Sequence, residues 1–175
     1  MAEFGKLTNG ISSLARTADI LVVSQATPAT VGTLVSMTIR AWTPGGGSGG
    51  VPALIGVIYS DVAGVPTTLL AQTDALVPTN TTEDAHTFNF TGANIIDITA
   101  IPYWIGVIAD AAASPANLTI SRQGTANEAL FSTAVTYPTI PGTFPATSTT
   151  QGPIDCFVTY TPENKSQALF LGINF

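Results

Sequence analysis

The stretch that decides the fold is Ala53–Thr73, ALIGVIYSDVAGVPTTLLAQT. It opens with an apolar, partly β-branched run and passes through the turn residues Asp, Gly and Pro between Asp61 and Pro66. A second, shorter apolar run then starts at Thr67. Two such runs on either side of a Gly-containing turn are typical of a β-hairpin. The sequence therefore predicts two antiparallel strands here, with the rest of the chain packed around them.

The remaining chain indicates more strands and no sizeable helix. Period-2 alternation is clearest over Gly32–Thr43, which predicts a strand with one dry and one wet face. We expect the dry face to carry Val35, Met37, Ile39 and Ala41. Apolar residues show no sustained 3.6-residue period, and about nine or ten short strands can be marked between turn signals. The predicted fold is an all-β, antiparallel, jelly-roll-like β-sandwich with little helix.

A length of 175 residues fits one domain. Residues 1–16 are predicted to be an N-terminal arm or a short edge segment, and residues 17–175 the single β-sandwich domain. Residues 44–50, PGGGSGG, are interpreted as a mobile hairpin loop and not as a domain linker. Residues 135–153 contain four prolines and predict a long surface loop that wraps a neighbour or carries a contact. Gln167–Phe175 predicts a closing strand.

A four-residue segment occurs twice, as Ile55–Ile58 and Ile105–Ile108, both reading IGVI. Both segments are apolar on both faces, with a glycine near the middle. Strands of this kind belong at the centre of a sheet, where a neighbouring side chain can occupy the space above the glycine.

The low charge content limits the kinds of partner that we expect the protein to bind. Only 9% of residues are charged, 45% are hydrophobic, and the net charge is −6. The five basic residues are scattered along the chain, so no patch for neutralising phosphates is formed, and nucleic-acid binding is not expected. So few surface charges give weak electrostatic protection against self-association, which favours a homo-oligomer or a larger assembly.

The residues offer little for catalysis or for metal binding. Cys156 is the only cysteine and is predicted to be buried with Ile154, Val158 and Tyr160 on one strand face. His86 is the only histidine and is interpreted as a hydrogen-bonded histidine at an edge or core rim. The aspartates that could form a catalytic pair or bind Ca²⁺ lie beside turn residues, where solvated side chains are the ordinary explanation: Asp61, Asp84, Asp97 and Asp110. We therefore expect no enzyme activity, no catalytic residues, no cofactor and no metal.

The first residues lack an apolar segment behind a basic start, and no run approaches the ~18 apolar residues of a membrane helix. The expectation is a protein made in a cytoplasm without a signal peptide and without a membrane partner.

Exposed aromatic side chains are the remaining candidates for a binding site. Trp42 lies beside the Gly-rich loop, and Tyr103 with Trp104 begins a strand. Aromatic faces stack on sugars or on partner proteins. The alternative, which we favour, is that both tryptophans fill the core of the sandwich or seal its ends. Phe4 in the arm and Phe144 in the Pro-rich loop are two further candidate contacts with a partner.

Three motifs together resemble a known module. They are Phe4-Gly5-Lys6 with Gly10 shortly after, the hairpin segment Ile58–Ala71 (IYSDVAGVPTTLLA), and Tyr103–Val107 (YWIGV). This pattern resembles the jelly-roll modules of bacterial surface proteins and phage virion proteins, over about residues 4 to 110. Nothing after Asp110 adds to the resemblance.

The resemblance implies a β-sandwich used for binding or assembly, with no shared catalytic residues. A phage structural protein needs neither a signal peptide nor an anchor, so the expected function is that of a non-enzymatic virion structural protein. The leading interpretation is a capsid decoration (cement) protein or a small fibre or tail component, located in the virion and bound to a major capsid or other virion protein. The alternative is a carbohydrate- or receptor-binding module that uses the aromatic residues, with a glycan as its partner.

Overall fold

The computed structural model describes residues 1–6, 12–16, 19–43, 53–110, 118–123, 129–145 and 149–163. Residues 12–16 and 149–151 are described by their backbone alone. The predictions for the Gly-rich loop at 44–50 and for a strand at 167–175 lie outside the described residues.

Strands make up 64% of the structure, and the described ranges contain no α-helix, only one 3₁₀ turn at Gly92–Asn94. The predicted all-β antiparallel sandwich is confirmed. Thirteen strands are described, more than the nine or ten expected, because several short edge strands had no clear alternation in sequence. The strands are β1 Ala2–Gly5, β2 Ser12–Arg16, β3 Ile20–Ala26, β4 Gly32–Trp42, β5 Leu54–Val62, β6 Val65–Leu76, β7 Asp84–Asn89, β8 Asp97–Ile98, β9 Tyr103–Ala109, β10 Leu118–Arg122, β11 Ala129–Ser132, β12 Thr149–Gln151 and β13 Cys156–Pro162.

The strands form two antiparallel sheets. Sheet A has the order β1-β13-β4-β10-β2, and β7 and β8 also pair with β4. β7 and β13 both pair with residues 36–39 of β4, so they lie on opposite edges of that strand. Sheet B has the order β12-β11-β3-β9-β5-β6.

The predicted hairpin is present as β5 and β6, with longer strands and a tighter turn than expected. Only Ala63 and Gly64 lie between the strands, and both have positive φ, 55° and 81°. Positive φ at both central residues is the type I′ geometry, whose twist matches that of the flanking strands. The turn therefore needs a glycine or another residue that tolerates this conformation at position 64.

The main core lies between the two sheets. Along β4 it receives Leu34, Met37, Ile39 and Ala41, whereas Val35 stays half-buried outside it. The prediction that Val35 shares the dry face was wrong. The β4–β13 ladder shifts register between Leu34 and Ser36, and this irregularity changes the side-chain parity in a way that simple alternation does not anticipate.

The two IGVI segments lie in the interior of sheet B, as their pattern predicted, and they are neighbours there. Gly56 pairs with Val107, and Val57 pairs with Gly106. A Cβ at Gly56 would lie 2.8 Å from the Met37 sulfur, which reaches across from sheet A. A Cβ at Gly106 would instead meet the backbone of β3, 2.7 Å from the Cα of Val23. Each glycine thus makes room for a close neighbour.

Sheet B is also apolar on the side that faces away from sheet A. Seven buried side chains of β3, β5 and β9 form this outer face: Leu21, Val23, Ile55, Val57, Tyr59, Trp104 and Ile108. Residues 133–145, here called the strap, lie across it and contribute Val135, Tyr137, Ile140 and Phe144. This described part of the Pro-rich loop therefore packs on its own sheet, where wrapping of a neighbour was expected.

The N-terminal segment contributes edge strands to sheet A. β1 pairs with β13 and β2 pairs with β10. Of the two alternatives for residues 1–16, the described parts take the edge-strand form.

Candidate functional site

Four of the five predicted contact residues belong to the interior of the protein. Phe4 and Tyr103 lie in the main core, and Trp104 and Phe144 lie in the outer-face cluster, all less than 9% exposed. Trp42 at the end of β4 is half-buried. The structure does not bring the five rings together into one surface.

Specific contacts hold these rings in place. The Phe4 ring packs against Tyr103 and Tyr160, with centroids 6.3 and 5.9 Å apart. Phe144 makes an edge-to-face contact with Tyr59 at 5.1 Å. Stacking on a sugar needs a ring face that solvent reaches. These four rings are buried and present no open face to solvent, and for Trp104 this is the core placement that the sequence favoured.

Asp61 lies in β5 beside the hairpin turn, and its carboxylate accepts hydrogen bonds from three other residues. Its Oδ1 accepts hydrogen bonds from Trp104 Nε1 (2.7 Å) and Gln25 Nε2 (2.8 Å), and its Oδ2 accepts one from the Gly64 amide (3.1 Å). Partial burial alone would raise the pKa of Asp61, but these bonds to Gly64, Trp104 and Gln25 favour the charged form and hold the pKa below its ordinary value. One side chain thus joins the hairpin turn to β3 and β9.

The three segments that carry the family resemblance meet in space. Phe4 contacts Tyr103, a Cβ at Gly5 would lie 2.8 Å from Ile105 Cδ1, and Asp61 binds Trp104. Gly5 has φ 116°, a conformation that favours glycine. In this structure the motif residues therefore have packing and turn-forming roles. Such roles are consistent with motifs that indicate a fold more than a function.

Strand register places several loops at one end of the sandwich. Ala26, Tyr103 and Ser60 are paired across sheet B, and Gly32 pairs with Pro162 and Ile98 in sheet A. Segments 27–31, 62–65, 99–102 and 162–163 consequently share this end, which we call the hairpin end.

The hairpin end exposes apolar side chains that the sequence analysis did not single out. Val62 and Val65 flank the turn and are 59% and 54% exposed, and Ile101 is 52% exposed. The signal for the two valines was present in DVAGVP, where apolar residues flank a turn that must lie at the surface. Ile101 joins them only through the pairing of β9 with β5.

A depression of 380 Å³ lies at the same end. It is lined by Ala29, Thr30, Val31, Ala100 and Glu163. The Thr30 hydroxyl is 3.3 Å from the Tyr160 hydroxyl, and the Glu163 amide donates to the Val31 carbonyl at 3.1 Å. Mostly small, weakly polar groups line the depression, and the exposed valines lie at the same end of the sandwich, so this end is suited to contact with another protein surface.

The residues weighed for catalysis or metal binding are dispersed. His86 is half-buried on β7, and its Nε2 lies 3.0 Å from the Ala41 carbonyl, as predicted for a hydrogen-bonded rim histidine. Cys156 is buried in the main core with its predicted neighbours, and burial raises the pKa of its thiol. Asp97 accepts a hydrogen bond from Thr33 Oγ1 at 2.7 Å. Within the described residues, no three His, Cys, Asp or Glu side chains are grouped so that they could hold a metal ion.

Sequence reasoning did not single out Asp155 as a buried charged group. It is fully buried, accepts hydrogen bonds from Ser121 Oγ (2.6 Å) and Gln123 Nε2 (2.9 Å), and its backbone joins Ser121 and Arg40. These bonds hold β10, β4 and β13 together where three strands meet, so we assign Asp155 a structural role.

Comparison with known proteins found no match to a family model, to a curated protein or to a solved structure. Among the residues that the structure describes, no helix is long and apolar enough to span a membrane.

Proposed function

We propose that this protein is a non-enzymatic structural subunit that acts by protein–protein assembly, as a virion decoration protein or a small fibre or tail component. The observation that carries the assembly part is the exposed apolar hairpin end, which presents Val62, Val65 and Ile101 and also contains the depression. The virion part rests on the resemblance of the hairpin and YWIGV motifs to phage and surface modules.

Burial of the hairpin end against a partner would be favourable. Each Å² of apolar surface removed from water contributes roughly 25 cal/mol. The three side chains are each more than half exposed, and the charge content of 9% leaves little repulsion to oppose contact. Apolar centres with a weakly polar surround are typical of such interfaces.

The glycan-binding alternative has less support. It requires an open aromatic platform, whereas Tyr103 and Trp104 are about 5% and 6% exposed. Trp42 alone keeps partial exposure among the rings considered.

The test is the solution mass of the protein by light scattering across a range of concentrations. We expect a closed homo-oligomer for the wild type. The double variant Val62→Ser/Val65→Ser should weaken association about tenfold or more, because it removes the apolar methyl groups of both exposed valines from the interface.

Val77→Ser is the matched control, since Val77 is 43% exposed at the far end of β6. It should leave the association constant unchanged. A wild type that stays monomeric throughout, or a double variant that associates as the wild type does, would contradict assembly through the hairpin end.

A further inference from the structure

The depression at the hairpin end has the size and the lining of a binding site for one long side chain. Its volume of 380 Å³ lies near the lower limit of pockets that hold small ligands, roughly 300 Å³. The lining consists of three small apolar residues, Ala29, Val31 and Ala100, and two polar ones, Thr30 and Glu163. A ligand with an apolar stem and a polar tip fits this combination.

Of the described residues in this lining, Glu163 alone carries a charge. Its backbone is held in place, because its amide donates to the Val31 carbonyl at 3.1 Å. Its side chain is exposed and makes no hydrogen bond or ion pair within the part of the chain that the structure describes. The carboxylate can therefore accept hydrogen bonds from an incoming donor without giving up an internal contact.

Thr30 supplies a second acceptor. Its hydroxyl lies 3.3 Å from the hydroxyl of Tyr160, which is fully buried. A threonine hydroxyl has one proton and two lone pairs, so Thr30 can accept a hydrogen bond from a ligand while it keeps this contact. A carboxylate and a hydroxyl acceptor in one small depression favour a ligand whose tip carries several N–H donors.

The electrostatics of this end also favour a cation. Asp97 directly precedes Ile98, and Ile98 and Pro162 both pair with Gly32, so these two residues are about 10 Å apart, two strand spacings. Asp97 and Glu163 are both exposed. Each attracts a positive group over roughly one Debye length, about 8–10 Å, so their fields overlap at the depression.

The basic side chains that the structure describes lie elsewhere. They are Lys6, Arg40 and Arg122, whose backbones contact residues 154–156. β13 runs from Cys156 to Pro162, so about 20 Å of strand separates these contacts from the hairpin end. None of the three side chains reaches Glu163.

The same residues make a second copy of this chain a poor source of the cation. The Nε atoms of Arg40 and Arg122 are buried, and Arg40 also forms an ion pair with Glu83 at 3.9 Å. The hairpin end of a second copy would present Glu163 again, and like charges that face each other across an interface are unfavourable.

We propose that the depression receives an arginine side chain of a partner protein with a different sequence. The methylene stem lies against the apolar residues of the lining, and the guanidinium binds Glu163 and Thr30. Arginine fits better than lysine because its planar group carries five donors in a fixed fork, and because arginine is enriched at protein interfaces whereas lysine is depleted. The proposal rests on the assembly function and names the chemistry of the partner.

The test is an NMR titration of the whole protein with N-acetyl-L-arginine methylamide, a blocked arginine residue. We expect saturable shifts of the amide resonances of Val31, Ala100 and Glu163. The neutral isostere N-acetyl-L-citrulline methylamide should bind about threefold to fivefold more weakly, as for a partly exposed ion pair. Free L-arginine should bind no more tightly than the blocked residue, because its α-carboxylate is repelled at this end.

Three variants sharpen the titration. Glu163→Gln should weaken binding of the blocked arginine by the same factor and remove its advantage over citrulline. Glu83→Gln is the matched control, since it removes the same charge beside Asp84 at the opposite end of sheet A, and it should leave the affinity unchanged. Ala100→Leu fills the depression at an exposed position without changing the charge, and it should weaken binding about tenfold.

The proposal is overturned by equal affinities for the two blocked residues, by the absence of saturable shifts at the depression, or by a Glu163→Gln variant that binds as the wild type does. Tighter binding of free arginine would overturn the assignment to a protein partner. If oligomers sensitive to Val62 and Val65 form in these cases, assembly through the hairpin end stands and only the arginine site is wrong. If the blocked arginine binds as expected while the protein stays monomeric, the site stands and self-association through that end is wrong.

Discussion

The two faces of sheet B have similar apolar side chains but different covers. The inner face packs against sheet A, another hydrogen-bonded layer, with the main core between them. The outer face packs against the strap, whose backbone bonds to the sheet lie at one edge strand. A sheet cannot easily shift to fill a gap, whereas a Pro-rich strap can. The comparison indicates that equally buried residues need not contribute equally to stability.

The glycines of the two IGVI segments give the largest expected effect. Gly106→Ala should destabilise the protein by more than about 4 kcal/mol, because the new Cβ would overlap the Val22 carbonyl oxygen and lie 2.7 Å from the Val23 Cα, and this backbone cannot move away without disturbing the ladder. Gly56→Ala should cost less, about 2 kcal/mol, since the flexible Met37 side chain can adjust and only the side chain of Thr73, 2.9 Å from the new Cβ, resists. Denaturant unfolding of both variants measures the difference, and equal losses would show that the two positions are equally constrained.

The two covers of sheet B, sheet A and the strap, can be compared directly through one phenylalanine in each. Phe88 lies in the main core at 3% exposure, and Phe144 of the strap lies on the outer face at 8%. Phe88→Ala should cost about 4 kcal/mol, and Phe144→Ala about 2 kcal/mol, because the strap can settle onto the face and reduce the cavity. The free energies of unfolding from urea titrations check this. A larger loss for Phe144→Ala would mean that the strap is the more rigid cover.

The smallest effect concerns Asp61, at the hairpin end of sheet B. Its pKa is lowered in the folded protein, so its contribution to stability is present above the unfolded-state value of about 3.9 and is lost as the pH falls through the folded value. The melting temperature of Asp61→Asn should therefore fall less between pH 5 and about pH 2.5 than that of the wild type.

Asp74→Asn is the control for loss of a carboxylate. Asp74 is exposed and accepts one hydrogen bond from Thr91 Oγ1, at 3.1 Å. Parallel acid profiles for Asp61→Asn and the wild type would argue against a special role for the Asp61 hydrogen bonds.

Much of the architecture could be predicted from local pattern. The β5–β6 hairpin follows from β-branched runs around Ala63-Gly64, and the central position of β5 and β9 follows from strands that are apolar on both faces. Cys156 was predicted with its three core neighbours: Val158 and Tyr160 share its face of β13 by alternation, and Ile154, just before β13, continues the same parity.

The misses have a common physical origin in contacts between distant segments. The irregularity in β4 arises from its register with β13, so alternation alone misplaced Val35. For the aromatic residues the sequence left both roles open because aromatics serve cores and binding sites alike, and only the pairing of Phe4 with Tyr103 and of Phe144 with Tyr59 places these rings inside. Val62, Val65 and Ile101 were missed as a group because strand register brings them to one end.

By itself, the sequence determined the secondary-structure class, the main hairpin and which strands must be covered on both faces. These properties depend on near-neighbour sterics and on side-chain alternation, which a single strand already possesses. The tertiary structure decided what covers each face, since both sheet A and the strap are apolar enough to do so. It also decided which apolar residues remain exposed to solvent. That choice depends on backbone hydrogen bonds between segments far apart in the chain, such as Leu69 with Gly142, and no local pattern encodes them.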